Sequence, residues 1–285
     1  MRKNKRAVTP AISTIIITAA LVVLVLVTVS FADNELTIQM AQGEFSSSKN
    51  FMQSTGTQID NVAWTIGRTE AVDYIAKYGD VSFTPGVLNY TFEVSYNDGA
   101  SWQLIYNCTT GMIMYNMPAS VYSIGNDCFS RIVPASSGSF LQQGVSAPVY
   151  QVFEVENAVA YGAYARIVTV PTVRVINSTL PGESSSESYY EFYVPSLVTA
   201  SSPYLSQSLS LTGAGLNMAA ASNSAQSSYQ VRITATIPMG VIPSGFKSFS
   251  NSFFNFDHTT ETLSVPAGSF VEIYNGNVRV SIGLT

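Results

Sequence analysis

From Ile15 to Ala32 the chain reads Ile-Ile-Ile-Thr-Ala-Ala-Leu-Val-Val-Leu-Val-Leu-Val-Thr-Val-Ser-Phe-Ala, and no charged residue occurs between Ala7 and Ala32. The stretch is apolar all round. At 1.5 Å rise per residue it forms a helix of roughly 40 Å, long enough to cross a bilayer. Beyond it the pattern becomes one-sided. Ile38, Phe45, Met52, Ile59 and Ile66 recur every seventh residue, and the same register runs back through Phe31, Leu24 and Ile17. That spacing keeps one face of a helix apolar. Gly43, Gly56 and Ser46–Ser48 lower helix propensity and allow a kink near 43–48. No proline lies between Pro10 and Pro85. The pattern predicts one helix from about Val8 to about Arg68, with residues 8–32 the membrane segment and 33–68 an amphipathic continuation lying against the rest of the protein.

From residue 69 to 285 the period changes from helical to alternating. Runs of Val, Tyr, Phe, Thr and Ile are broken by Gly, Pro, Asn and Ser, the mark of many short strands. The predicted strands are Val87–Tyr96, Trp102–Asn107, Val149–Val155, Ala163–Val170, Tyr189–Val194, Tyr229–Ile237, Ser269–Tyr274 and Val278–Ile282. Asn97-Asp98-Gly99 separates the first two, and Asn275-Gly276 predicts a tight hairpin between the last two. The fold class expected is therefore α+β: a long hydrophobic amino-terminal helix followed by an all-β, sandwich-like head. Two Ser-rich stretches, Asn177–Ser188 and Ala200–Ser228, are read as surface loops of one sandwich, with a two-lobed head as the alternative.

The residues before the apolar stretch bear on what it does. Met1-Arg-Lys-Asn-Lys-Arg6 is basic and would stay cytoplasmic, placing the carboxy-terminal side outside. Three readings follow: a secretory signal with Ser30-Phe31-Ala32 at its cleavage site, an uncleaved anchor, or a precursor cut before the apolar stretch. Arg6, Ala7, Val8 and Thr9 resemble the cleavage site of archaeal type IV prepilins (the class III signal), and Pro10 then sits in the first helical turn, where its missing N–H costs nothing. The segment Lys5–Thr14 looks like the start of archaeal type IV pilins, a likeness confined to about the first 30 residues. Bacterial type IV pilins carry a glutamate at the fifth mature position. Here that position is Ile12, a departure that fits the archaeal branch. The resemblance implies a precursor inserted in the membrane before assembly and cut between Ala7 and Val8 by a prepilin peptidase. Membrane assembly machinery would follow, building a homopolymer whose core is packed from Ile12, Ile17, Leu24, Phe31, Ile38 and Phe45. It further implies surface adhesion, with an archaellin-type motility filament or a secreted or membrane-tethered binding protein as alternatives.

Composition narrows the remaining classes. The chain has 13 basic and 18 acidic residues, a net charge of −5. Removing residues 1–7 removes Arg2, Lys3, Lys5 and Arg6. No basic patch is left to neutralise phosphates, so no nucleic-acid partner is expected. Asn89, Asn107 and Asn177 open glycosylation sequons, with Asn177 in a predicted loop and Asn89 inside a predicted strand. Cys108 and Cys128, the only cysteines, are a candidate disulfide in an exported protein, against two free thiols. No metal site or cofactor is expected: the single histidine, His258 beside Asp257, has no ligand cluster. No nucleophile elbow or P-loop occurs, and no enzymatic role is expected. Glu154 with Glu156, or Glu183 with Glu187, form a catalytic carboxylate pair only if folding arranges them. Tyr161, Tyr164, Tyr189 and Tyr190 are read as sheet-packing residues before a sugar-binding platform. Asn126-Asp127 and Asp98-Gly99 read as turns.

Overall fold

The computed structural model describes residues 8–283 apart from 126, 137, 157–162, 182–185, 201–206, 223–227, 239–253 and 255–258; for 8–11, 180, 181, 186 and 187 it describes the backbone alone. One helix, α1, runs from Val8 to Ala63. Its helical assignment passes through Gly43 and Ser46–Ser48 without a break, so the weak local propensity there does not end it. It stops at Ala63 and not at Arg68, because two tight turns take over: the Thr65 N–H donates to the Val62 carbonyl and the Arg68 N–H to the Thr65 carbonyl. The chain divides into two compact units, Met1–Gly43 and Glu44–Thr285. The second is a single unit, so the head is one-lobed.

Among the described residues thirteen strands follow: β1 (Thr69–Asp73), β2 (Asp80–Ser95), β3 (Gln103–Pro118), β4 (Cys128–Val133), β5 (Leu141–Gln143), β6 (Tyr150–Glu156), β7 (Tyr164–Pro171), β8 (Val173–Pro181), β9 (Ser186–Thr199), β10 (Ser208–Ser222), β11 (Tyr229–Thr236), β12 (Thr260–Val265) and β13 (Phe270–Ile282). They form two sheets, ordered β1-β10-β13-β9-β8-β5 and β12-β11-β2-β3-β7-β6-β4. This is the expected β-rich head, following a long apolar helix in the chain. Between the sheets lies a core fed by both, in which Phe92 meets Phe192 edge-on with ring centres 5.9 Å apart. On β11 the alternation is regular: Tyr229, Val231, Ile233 and Ala235 are buried while Gln230, Arg232 and Thr234 are partly exposed. That is the period-two pattern of a strand with one covered face.

Other strands break the alternation for a physical reason. Most of β6, nearly all of β7 and the second half of β3 are buried at successive positions. Met112 and Met114 of β3 face the inter-sheet core, while Ile113 and Tyr115 between and beyond them point the other way and are equally buried. The second face is covered by residues 44–63 of α1. Phe45, Met52 and Ile59, three positions of the predicted heptad, are 1%, 0% and 0% exposed, and Phe45 packs edge-on against Tyr115. Ile66, past the helix end, is 69% exposed. Each buried side chain of this size contributes about 1.5–3 kcal/mol. The helix follows a corner of the sandwich. β7 and β8 are separated only by buried Thr172, so one extended ribbon passes from one sheet to the other. Along it, Thr169 of β7 donates its hydroxyl to the Met52 carbonyl, and Arg174 of β8 pairs with Asp60 at 3.0 Å. Asp60 also accepts from the Trp64 indole, whose ring meets Tyr193 edge-on. Nearer Phe45, the Glu44 carboxylate accepts the backbone N–H groups of Lys77, Tyr78 and Gly79 and the Tyr115 hydroxyl at 2.7 Å. Hydrogen bonds to a charged acceptor are the strong kind, and these tie the β1–β2 connection to the helix.

Several expectations are corrected. Asn275-Gly276 is not a hairpin. β13 runs through it, because Asn275 is buried and its amide donates to the Val194 carbonyl and the Ser196 hydroxyl of β9. Gly276 is needed for close approach: a methyl there would overlap the Ala63 carbonyl at the helix end, as one on Gly213 of β10 would overlap those of Val62 and Thr65. The stretch 200–228 is no boundary, since β10 lies within it, and Asn177 sits in β8 opposite Tyr190 and not in a loop. The disulfide is not formed: Cys108 and Cys128 are free thiols. β7 and β6 lie between their strands, which at ~4.8 Å per strand spacing puts them about 14 Å apart, beyond bridging distance. Burial pushes the Cys108 thiol up to about 12.

Two outcomes follow from this packing. Gly276→Ala and Gly213→Ala are each expected to lower unfolding free energy by about 2–4 kcal/mol in denaturant titration. Gly215→Ala, whose new methyl would meet only ordinary contact, should stay within ~1 kcal/mol. Thiol labelling of the native protein near pH 8 should modify Cys128 alone, and both cysteines after denaturation. The unfolded Cys108 thiol ionises near its ordinary value while the folded one resists until about 12, so stability from this group falls as pH rises through that window.

Candidate functional site

The segment that distinguishes this chain is the first part of α1. Every Ile, Leu, Val and Phe from Ile12 to Phe31 is exposed, from 49% at Val27 to 73% at Phe31. These include Ile12, Ile17, Leu24 and Phe31 of the sequence-derived face, and Ile38 is also exposed at 37%. The surface is apolar on all sides and is not restricted to one stripe. Two of its hydroxyls are satisfied within the helix: the Thr18 hydroxyl donates to the Thr14 carbonyl at 2.9 Å, and Thr28 to the Leu24 carbonyl at 2.7 Å. Such i to i−4 bonds let a threonine sit in an apolar medium without a water partner. The first charges, Asp33 and Glu35, appear where the apolar run ends. By length and composition this helix is able to cross a membrane. Phe45 is corrected: it is buried within its own head, between Tyr115 and Tyr122, and is not available as a contact for another molecule.

Arg6 and Ala7 of the expected cleavage site lie outside the described residues. Val8 and Thr9 open the helix. Of the sequons, Asn107 on β3 and Asn177 on β8 are exposed, as are Thr109 and Thr179 two residues on. Asn89 on β2 is half-buried, with its amide turned toward Thr91. Strand position alone therefore does not rank these sites; the face does.

Glu154 and Glu156 each have partners within the head. Glu154 pairs with Lys49 of the helix, and Glu156 accepts from the Ser123 hydroxyl and the Ile124 N–H at 2.6 and 2.7 Å. Glu183, the Glu187 side chain, Asp257, His258, Asn126 and Tyr161 lie outside the described residues, and among those described no group of three or more His, Cys, Asp or Glu is placed to hold a metal. The remaining tyrosines do not share a platform. Tyr190 is buried in the inter-sheet core, Tyr189 stacks on Phe270 at 5.0 Å, and Tyr164 lies under the Arg166 guanidinium. The Glu44 clamp was missed by sequence reading. A glutamate on a helix carries no local sign of backbone donors that the chain brings back more than thirty residues later. Comparisons of the chain with protein-family models, curated proteins and solved structures found no match.

Leu24→Lys puts a charge in the middle of the apolar run, at a cost of about 2.5–3.5 kcal/mol for membrane insertion. The expected result is a fall of roughly 100-fold in the insertion equilibrium constant, read as the ratio of carbonate-resistant to carbonate-extracted precursor. The melting transition of the head should be unchanged, since Leu24 is exposed.

Proposed function

We propose that this chain is a structural subunit of an extracellular filament of the archaeal type IV pilus kind, assembled through its amino-terminal helix and serving surface adhesion. The observation that carries the reading is the all-round apolar surface from Ile12 to Phe31 on a helix that continues without interruption into the folded head. A discarded export signal has no need to share one helix with the domain it leads. Here residues 44–63 of that same helix cover one face of the sandwich.

In this reading the basic leader holds the precursor with its amino end in the cytoplasm. A prepilin peptidase cuts between Ala7 and Val8. The helix then leaves lipid and packs against helices of other copies. Lipid is as apolar as leucine, so this exchange gains little from hydrophobicity itself. Once the assembly is outside the membrane, the alternative is water, and each exposed apolar side chain then opposes dissociation by about 1.5–3 kcal/mol. The head, with Asn107 and Asn177 as its accessible glycan acceptors, faces outward.

The test is the amino terminus of the mature surface protein. A start at Val8 is expected, together with loss of processing and of surface filaments when Arg6 or Ala7 is replaced by a bulky acidic residue. A start at Asp33 would show a cleaved export signal, and an intact Met1 a plain anchor; either overturns the filament reading.

A further inference from the structure

β5 ends at Gln143, while its parallel partner β8 continues to Pro181. Where β5 stops, a gap opens at the rim of the sandwich. It is a cavity of about 420 Å³ lined by Gln143, Gly144, Val175, Asn177, Tyr190 and Leu263. That volume falls in the range of pockets that hold small organic ligands, about 300–1,000 Å³. β5, β8 and β9 of one sheet supply its walls, together with β12 of the facing sheet through Leu263.

Asn177 opens a glycosylation sequon, and the period of the strand sets its place in this cavity. Residues two apart on a strand share a face. Val175 belongs to the inter-sheet core, and so does Tyr190, directly opposite Asn177 on β9. Asn177 therefore stands on the core-facing side of β8. It is nonetheless exposed, because the cavity opens beside it. Its amide nitrogen, the atom that takes a sugar, donates to the Tyr190 hydroxyl at 3.3 Å. Asn107 differs. Its neighbour Cys108 is in the core, so Asn107 lies on the outer side of β3, where a sugar projects from the sheet face.

We propose that the cavity is the seat of the first sugar ring of a glycan carried by Asn177. The inference rests on export, which the filament reading requires, and adds to that reading where the head holds its sugar. The donor class is a glycan linked through phosphate to a lipid. The Asn177 amide nitrogen forms a bond to the anomeric carbon as the bond from that carbon to the phosphate oxygen breaks. The phosphate leaves with the electron pair, and the amide gives up one of its two protons. The lining suits a sugar ring. Val175 and Leu263 offer apolar cover for its C–H groups, while the Tyr190 hydroxyl and the Gln143 amide offer partners for its hydroxyls.

The test compares protein recovered from the cell surface with Thr179→Ala, which removes the sequon at an exposed position and leaves every lining residue in place. Thr179→Ser keeps the sequon, and Thr109→Ala removes the one at Asn107. Mass spectrometry should find a glycan on Asn177 in the unaltered protein and in T179S, and none there in T179A. Amide exchange at Gly144 and Leu263 is expected to be roughly fivefold faster in T179A, because the cover over the cavity is gone. T179S and T109A should keep the unaltered rate at both positions. A bare Asn177, or a glycan whose loss leaves exchange at Gly144 and Leu263 unchanged, would overturn the seat, and filaments formed by that protein would leave the filament reading standing. A seated glycan on surface protein that forms no filaments in electron micrographs would support the seat and overturn the filament reading.

Discussion

Thirteen large apolar side chains between Ile12 and Phe31 are left uncovered by the chain that carries them. At about 1.5–3 kcal/mol each, exposing them all to water costs more than a folded domain's whole stability of ~5–15 kcal/mol. Lipid or other copies would cover these side chains, and removal of the segment would also end the exposure. The segment fits a cover of lipid or of other copies: it has no charge over its length, the Thr18 and Thr28 hydroxyls are bonded back to their own helix, and its surface is apolar on every side.

The head shows how the same helix behaves where a cover is built in. From Glu44 onward it is one-sided, and the sandwich supplies a second face for it by leaving β3, β6 and β7 apolar on both sides. The attachment is polar as well as apolar. Glu44 gathers three consecutive N–H groups, Asp60 joins Arg174 to Trp64, and Thr169 reaches the Met52 carbonyl. Apolar burial gives most of the energy. The directed bonds fix the rotation of the helix about its axis, since a turn of one residue would carry Glu44 and Asp60 away from their partners.

Much of this is written locally in the sequence. The apolar run, the heptad positions Phe45, Met52 and Ile59, and most strand positions follow from period and propensity alone. What stayed hidden depends on contacts between distant residues. Asn275-Gly276 has the composition of a turn, but the Asn amide is taken up by β9 and the glycine makes room for Ala63. Asn177 and the 208–222 stretch look like loops because Ser, Asn and Ala are weak strand formers, and neighbouring strands override that preference. Cys108 and Cys128 are close in sequence, yet two strands intervene between them.

The central claim is that the apolar helix survives maturation and is covered by other copies of itself. A photoreactive amino acid at position 24, exposed on the helix, reads its neighbour directly. In protein recovered from the cell surface and irradiated, the account predicts a covalent dimer joined through the helix to a second copy. An adduct to lipid alone, or surface protein from which position 24 has been removed, would contradict it.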